Sequence, residues 1–411
     1  MPIKIAIFGD DPTGPTGFGK IVKHLAAAAV KINCQPIVVG LKKHYAGTVP
    51  GTRIINALEK GDPHGYDTLR ALLNAEEIDT VLSIGDPWDV QGLAEIKQAH
   101  LFTWIGYTPV DSTPYPRYLL LTKDPHQYLD VAFLMQQMDA IVSYSGFGKT
   151  AIAEMLTEAD PERGPAMAGS IETIYLGVNP DLYQPQPKAD ARRQFQGAMS
   201  ADMLLFSCMK VNSIRAGFDT LFAAWARYLS LAAEVDPALA RRSKLYLHTA
   251  IDNGAYPLAL LMQRHSLEDS IMLNPGVKPG ECFSEEVIAA THNASDIVVS
   301  AARGEGFGLN ILEALSCTVP CIVPDYGCPA EYGGEAVWRV PIAATFNPEF
   351  ATTDFAIVDV EAMATGMLAL ACDPVKRDKM GGHGRKIAEN LTWEVFIEKW
   401  ATKLEGVLRR T

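Results

Sequence analysis

Apolar residues fall along this chain in short unbroken runs, separated by stretches in which they recur every third or fourth position. Runs of the first kind suit strands buried on both faces of a parallel sheet, and the second kind suits the amphipathic helices that cover such a sheet. The candidate strands of the first half are Ile3 to Phe8, Gln35 to Val39, Thr80 to Ile84, Leu101 to Tyr107, Ala140 to Tyr144 and Ile171 to Tyr175. The second half repeats the scheme with Met203 to Cys208, Lys244 to His248, Ser270 to Leu273, Ile297 to Ser300 and Cys321 to Val323. This alternation predicts an α/β protein of two Rossmann-like parallel-sheet domains. Between the halves, Tyr175 to Pro187 holds three prolines and a glycine, which break regular structure and predict a hinge there. The domains are accordingly expected at 1–184 and 185–390, with a last helix over 391–411.

The segment from Arg303 to Glu331 constrains the chemistry most. A helix is expected to start near Phe307, burying Phe307, Leu309, Ile311, Leu312 and Leu315. Glu305 precedes it and Glu313 lies inside it. At the helical rise the two carboxylates are roughly 9–12 Å apart along the axis. Between them lie the amides of Gly306, Phe307, Gly308, Leu309 and Asn310, a helix N-terminus suited to a diphosphate. Each glutamate could then accept hydrogen bonds from sugar hydroxyls at either end, a fit to sugar, diphosphate and ribose in series. A glycosidase pair needs carboxylates about 5–5.5 or 6.5–9.5 Å apart around one bond, with no phosphate cradle between them. If the two residues serve only the helix, Glu305 caps it and Glu313 is a solvated helical residue.

This segment resembles the Glu-x7-Glu signature of the retaining family 4 (group 1) glycosyltransferases, which have the GT-B fold of two Rossmann-like domains facing across a cleft. The resemblance implies that Glu305 meets the transferred sugar and Glu313 holds the ribose. It also implies that a pair of cations after the first strand of the second domain stabilises the leaving diphosphate. Lys210 and Arg215 match that spacing with the residue types exchanged; another register puts Ala216 at the lysine slot and leaves Arg215 alone. Glu331 is implied near the nucleotide. Gly17 and Gly19, in Thr16-Gly-Phe-Gly-Lys20, match a glycine loop facing the donor, and Ser145-Gly-Phe-Gly-Lys149 repeats the word; helix capping explains both equally. Where many members carry a histidine after the fourth strand, this chain has Asp111, which could orient a hydroxyl or accept a proton, or simply form the turn before Ser-Thr-Pro. The stretch Trp104 to Asp111 resembles a bacteriophage-type branch. Thr318 stands where the family has glycine. Gly177, Val178, Asn179, Tyr183 and Pro185 resemble the family linker, and the stretch from Asn390 to Phe396 resembles the entry to a helix crossing back to the first domain.

Composition narrows the partners. The chain has 411 residues, 48% of them hydrophobic and 20% charged, which suits two globular domains. Net charge is −12, against a generally basic nucleic-acid or membrane surface. One local exception is residues 1–50, where Lys4, Lys20, Lys23, Lys31, Lys42 and Lys43 face only Asp10 and Asp11. Seven scattered cysteines suit reduced thiols, and Cys317, Cys321 and Cys328 lack the spacing of a zinc site. The first residues read as a strand rather than a signal peptide, so a cytoplasmic protein is expected, in the host cytoplasm if phage-encoded.

The leading expectation is a metal-independent transferase moving a hexose or pentose from a nucleotide-sugar, a UDP-sugar first, to an acceptor hydroxyl with retention. No Asp-x-Asp occurs, which disfavours the metal-dependent transferases of the other major fold. The acceptor is expected to be a small molecule or saccharide; the lysine patch and the phage-like stretch keep a 5-hydroxymethylpyrimidine in phage DNA as the alternative. A sugar-nucleotide epimerase, a phosphorylase and a non-catalytic sensor are further readings.

Overall fold

The computed structural model describes residues 2–409 apart from 44, 46, 122–126, 196–198, 252–253, 275–282 and 349–351. It separates into two compact units, one of Met1–Gly177, Asn347–Thr353 and Trp393–Thr411, the other of Val178–Phe346 and Asp354–Thr392.

In the first unit the described strands are β1 (Lys4–Asp10), β2 (Gln35–Leu41), β3 (Arg53–Asn56), β4 (Thr80–Ile84), β5 (Thr103–Thr108), β6 (Tyr118–Leu120), β7 (Tyr128–Asp130), β8 (Ala140–Ser143) and β9 (Glu172–Thr173). Seven of them form a parallel sheet in the order β3-β2-β1-β4-β5-β8-β9, while β6 and β7 make an antiparallel hairpin. Beyond their first residues β1 and β2 are buried, as expected of strands covered on both faces. Trp104 on β5 is fully buried and its indole N–H donates to Ser83 Oγ at 2.8 Å, so this core side chain has its polar atom satisfied. The last helix, Trp393–Leu408, belongs here: Trp400 packs edge-on against Tyr107 at 4.9 Å, and Trp393 stacks on His24 at 4.1 Å.

The second unit repeats the plan with β10 (Leu204–Met209), β11 (Ser243–His248), β12 (Ile271–Leu273), β13 (Ile297–Val299), β14 (Cys321–Pro324) and β15 (Val337–Val340). They are parallel in the order β12-β11-β10-β13-β14-β15. An antiparallel hairpin of β16 (Ile342–Phe346) and β17 (Phe355–Val358) follows. Its core is centred on Phe206, Trp225 and Tyr228, with ring centroids 5.0–5.1 Å apart. In each sheet the order reverses beside the unit's first strand, the place where open α/β sheets bind ligands at the carboxyl ends of their strands.

The units divide between Gly177 and Val178, seven residues before the expected break at 184/185. The physical reason is that the proline-rich segment is held by the second unit rather than free. Val178 N–H donates to Leu391 O at 2.9 Å, and Ser316 Oγ donates to Tyr183 O at 2.6 Å. Arg385 Nη1 donates to the carbonyls of Pro180, Tyr183 and Ser316 at 3.0–3.2 Å. The other end of the second unit falls at Thr392, close to the expected 390.

Candidate functional site

In the second unit, neighbouring parallel strands β10 and β13 release their loops side by side. Gly217, with φ +67°, allows a close approach: a Cβ there would lie 2.2 Å from Ala301 O. Next to it, Arg303 N–H donates to Arg215 O at 2.8 Å. These contacts bring Lys210, just past β10, onto Glu305, and the Lys210 ammonium forms an ion pair with Glu305 Oε2. Both side chains are mostly buried, with 15% and 18% exposure. Burial draws the Lys210 ammonium down from 10.5 to about 8, with the neighbouring Cys208 acting in the opposite direction.

The helix after Glu305 begins at Leu309, two residues later than expected. Gly308, at φ +81°, turns the chain into it, and no side chain caps the helix. A Cβ at Gly308 would meet Pro329 Cγ at 2.7 Å. The turn is fixed from three sides. Asn310 Nδ2 donates to Met209 O at 3.1 Å, Tyr332 Oη donates to Gly308 O at 3.0 Å, and the Phe307 and Tyr332 rings lie 5.2 Å apart. Cys328 N–H donates to Glu305 O at 3.2 Å, so the loop after β14 also positions Glu305. This leaves the amides around Gly306, Phe307, Gly308 and Leu309 at a helix N-terminus with the Lys210–Glu305 pair beside it. Such a terminus favours anions through both its N–H groups and its dipole.

Glu313, on the same helix, is only 7% exposed, so it is neither the solvated residue nor is Glu305 the helix cap of the simpler reading. Its Oε2 lies 3.9 Å from His292 Nε2. Arg215 is half-buried in the short helix Ile214–Ala216. Glu331 is exposed in the first turn of the helix Cys328–Gly333. Thr318 adopts φ +60°, the left-handed conformation that accounts for glycine at the matching family position.

Asp111, Gly17 and Gly19 fall in the first unit. Asp111 is half-buried after β5, next to Ser112, whose Oγ lies 2.7 Å from Thr353 Oγ1. Gly17 is the exposed first residue of the helix Gly17–Lys31, and Gly19 N–H donates to the capping Thr16 Oγ1 at 2.9 Å. Gly148 N–H donates to Ser145 Oγ at the same distance of 2.9 Å, so both copies of the shared word cap a helix. Of the lysines near the first helix, Lys4, Lys31 and Lys42 are ion-paired with Glu76, Glu398 and Asp10.

Pattern reading missed two buried groups of the second unit. Arg303 lies over the Phe346 ring at 4.8 Å and donates from Nη2 to both Asp219 oxygens at 2.8 and 2.6 Å. His292 is fully buried. A charged residue inside the signature segment was the available signal for the first. An isolated histidine on a helix gave none for the second.

Residues 253–352 match the family model "Glycosyl transferases group 1". Among curated proteins, the D-inositol 3-phosphate glycosyltransferase of Streptosporangium roseum is 28% identical over 162 residues, 39% of this chain and 35% of that protein. The protein of the same name from Kribbella flavida is 26% identical over 237 residues, 57% of this chain and 50% of that protein. The chain therefore spans about half the length, or less, of these relatives. Among solved structures, sucrose-phosphate synthase from Thermosynechococcus elongatus superposes over all of both chains with TM-score 0.75 and 18% identity. Anabaena HepE in complex with UDP and glucose gives 0.68 and 15%, covering 98% of this chain and 100% of that one. WaaG, a glycosyltransferase involved in lipopolysaccharide biosynthesis, gives 0.66 and 13%, covering 97% and 98%. The segment that carries Glu305, the Gly308 turn and Glu313 thus matches the group 1 glycosyl transferases, within a chain of GT-B fold.

Proposed function

We propose that the protein transfers a sugar from a nucleotide-diphosphate sugar, a UDP-sugar first, to an acceptor hydroxyl with retention of anomeric configuration. The observation that carries this reading is the Lys210–Glu305 ion pair beside the uncapped helix N-terminus at Gly308. In the reaction the bond from the anomeric carbon to the diphosphate oxygen breaks, and the acceptor oxygen bonds to the same face. The departing diphosphate gains negative charge, which Lys210, Arg215 and the amides at Gly306 to Leu309 meet without having to reorganise. The acceptor's proton leaves with the diphosphate or passes to a base, for which Asp111 is the candidate. Glu305 orients the transferred sugar, Glu313 accepts hydrogen bonds from the ribose hydroxyls, and Glu331 lies toward the nucleotide. Solved neighbours of the same fold in complex with UDP, with UDP and glucose and with UDP-glucose support the donor class.

For the acceptor we favour a small molecule or saccharide. Three lysines of the basic patch are already engaged with carboxylates, which weakens the alternative of hydroxymethylated phage DNA. No helix among the described residues is long and apolar enough to cross a membrane. The test is incubation with radiolabelled nucleotide-sugars and either a sugar panel or hydroxymethylcytosine DNA. Free nucleoside diphosphate with a labelled glycoside of retained configuration supports the proposal. A changed sugar still on its nucleotide supports an epimerase instead.

A further inference from the structure

The helix Glu285–Ala294 places two adjacent buried polar side chains behind Glu313, with opposite outcomes. Asn293 is fully engaged. Its amide donates to Gln184 O at 3.1 Å and Ala289 O at 3.0 Å, and its oxygen accepts from Gln186 N–H at 2.8 Å. His292 is fully buried, and neither Nδ1 nor Nε2 has a hydrogen-bond partner. Its Nε2 stops 3.9 Å from Glu313 Oε2, just beyond hydrogen-bond reach. The Tyr183 ring stands edge-on to the imidazole at 6.3 Å, and its buried hydroxyl faces the Glu313 carboxylate. Burial first, then the nearby Glu313 charge, holds that phenol far above its ordinary range.

Buried polar groups are nearly always bonded, so an orphaned imidazole beside a carboxylate calls for a physical reason. A neutral imidazole with its proton on Nε2 offers one donor, directed at the carboxylate oxygen it almost reaches. We propose that His292 is a positioning residue for Glu313. When ribose hydroxyls engage one carboxylate oxygen, the other settles onto His292 Nε2–H, which fixes the plane in which the ribose is held. The Tyr183 hydroxyl is the second donor within the same pocket. This rests on Glu313 as the ribose-binding carboxylate of the reading above.

The test is calorimetric binding of UDP, 2′,3′-dideoxy-UDP and inorganic pyrophosphate to the wild type, His292→Phe and His292→Gln. The wild type is expected to prefer UDP over its dideoxy analogue. His292→Phe lowers that preference about tenfold with pyrophosphate affinity unchanged, and His292→Gln, which keeps a donor, recovers part of it. An undiminished preference in His292→Phe overturns the role of His292 while leaving that of Glu313. Loss of pyrophosphate affinity together with ribose preference also overturns it, because His292 then merely supports the fold. Equal binding of the two nucleotides by the wild type, or no UDP binding, overturns both the ribose role of Glu313 and this proposal.

Discussion

Lys210 and Glu305, 95 residues apart in sequence, form an ion pair at the carboxyl ends of neighbouring strands. Each is mostly buried, so removing one leaves the other's charge uncompensated beside the Gly308 turn. Lys210→Met and Glu305→Gln are each expected to lower kcat by about 100–1,000-fold. The double variant is expected to lose far less than the product of the two, because the residues act as a unit. Steady-state kinetics of the cycle checks this; fully multiplicative losses contradict it.

The ammonium of Lys210, drawn by burial down to about 8, is expected to give the proposed reaction an alkaline limit. In the proposed reaction the protonated form neutralises the leaving diphosphate, so kcat/KM is expected to fall as pH rises above about 8. The limb in kcat lies at higher pH, because bound diphosphate favours the charged lysine. Lys210→Arg removes the limb from the accessible range, since guanidinium stays charged. An identical limb in that variant assigns the titration to another group.

His24 stacks on Trp393 and is held down from 6.5 to about 3 by burial first, then by Lys23 and Lys20. The folded chain keeps this imidazole neutral where the unfolded chain protonates it. Stability from this group is therefore complete above about pH 6.5 and is lost as pH falls toward 3, by up to about 1.4 kcal/mol per pH unit. Urea unfolding between pH 4 and 7 is expected to show a shallower acid slope for His24→Phe, and an unchanged slope counts against it.

Three glycines give a test of the fold around the site. Gly308→Ala forces a left-handed residue and meets Pro329, so a destabilisation of about 1–3 kcal/mol is expected. Gly381 and Gly382 are neighbours on the helix Pro374–Asn390, yet opposite signs are expected. A Cβ at Gly381 would lie 2.1 Å from Thr318 O, whereas one at Gly382 meets nothing within 4 Å. Gly381→Ala destabilises, and Gly382→Ala stabilises by roughly 0.5–1 kcal/mol. Thermal melts of the three variants decide, and a stabilised Gly381→Ala rejects the close approach of that helix to Thr318.

The sheet interiors were legible because strands covered on both faces must be mostly apolar in their middle, as β1, β2 and β10 are. Two of the four edge strands were not: β3 carries exposed Arg53 and β15 exposed Arg339, so neither makes an apolar run. The two hairpins, β6 with β7 and β16 with β17, were also missed; their strands are short or largely solvent-facing. The signature helix was placed to within two residues, the difference coming from the left-handed turn at Gly308. The Lys210–Glu305 contact needed the strand order as well as the motif. His292 needed three dimensions entirely, since nothing in its local pattern distinguishes it from an ordinary core histidine.

The most direct measurement of the central claim is a crystal structure of the protein with UDP bound. The account predicts the diphosphate against the amides of Gly306 to Leu309, with Lys210 in hydrogen-bond reach and the ribose on Glu313. A diphosphate seated anywhere else, with that helix start untouched, contradicts it.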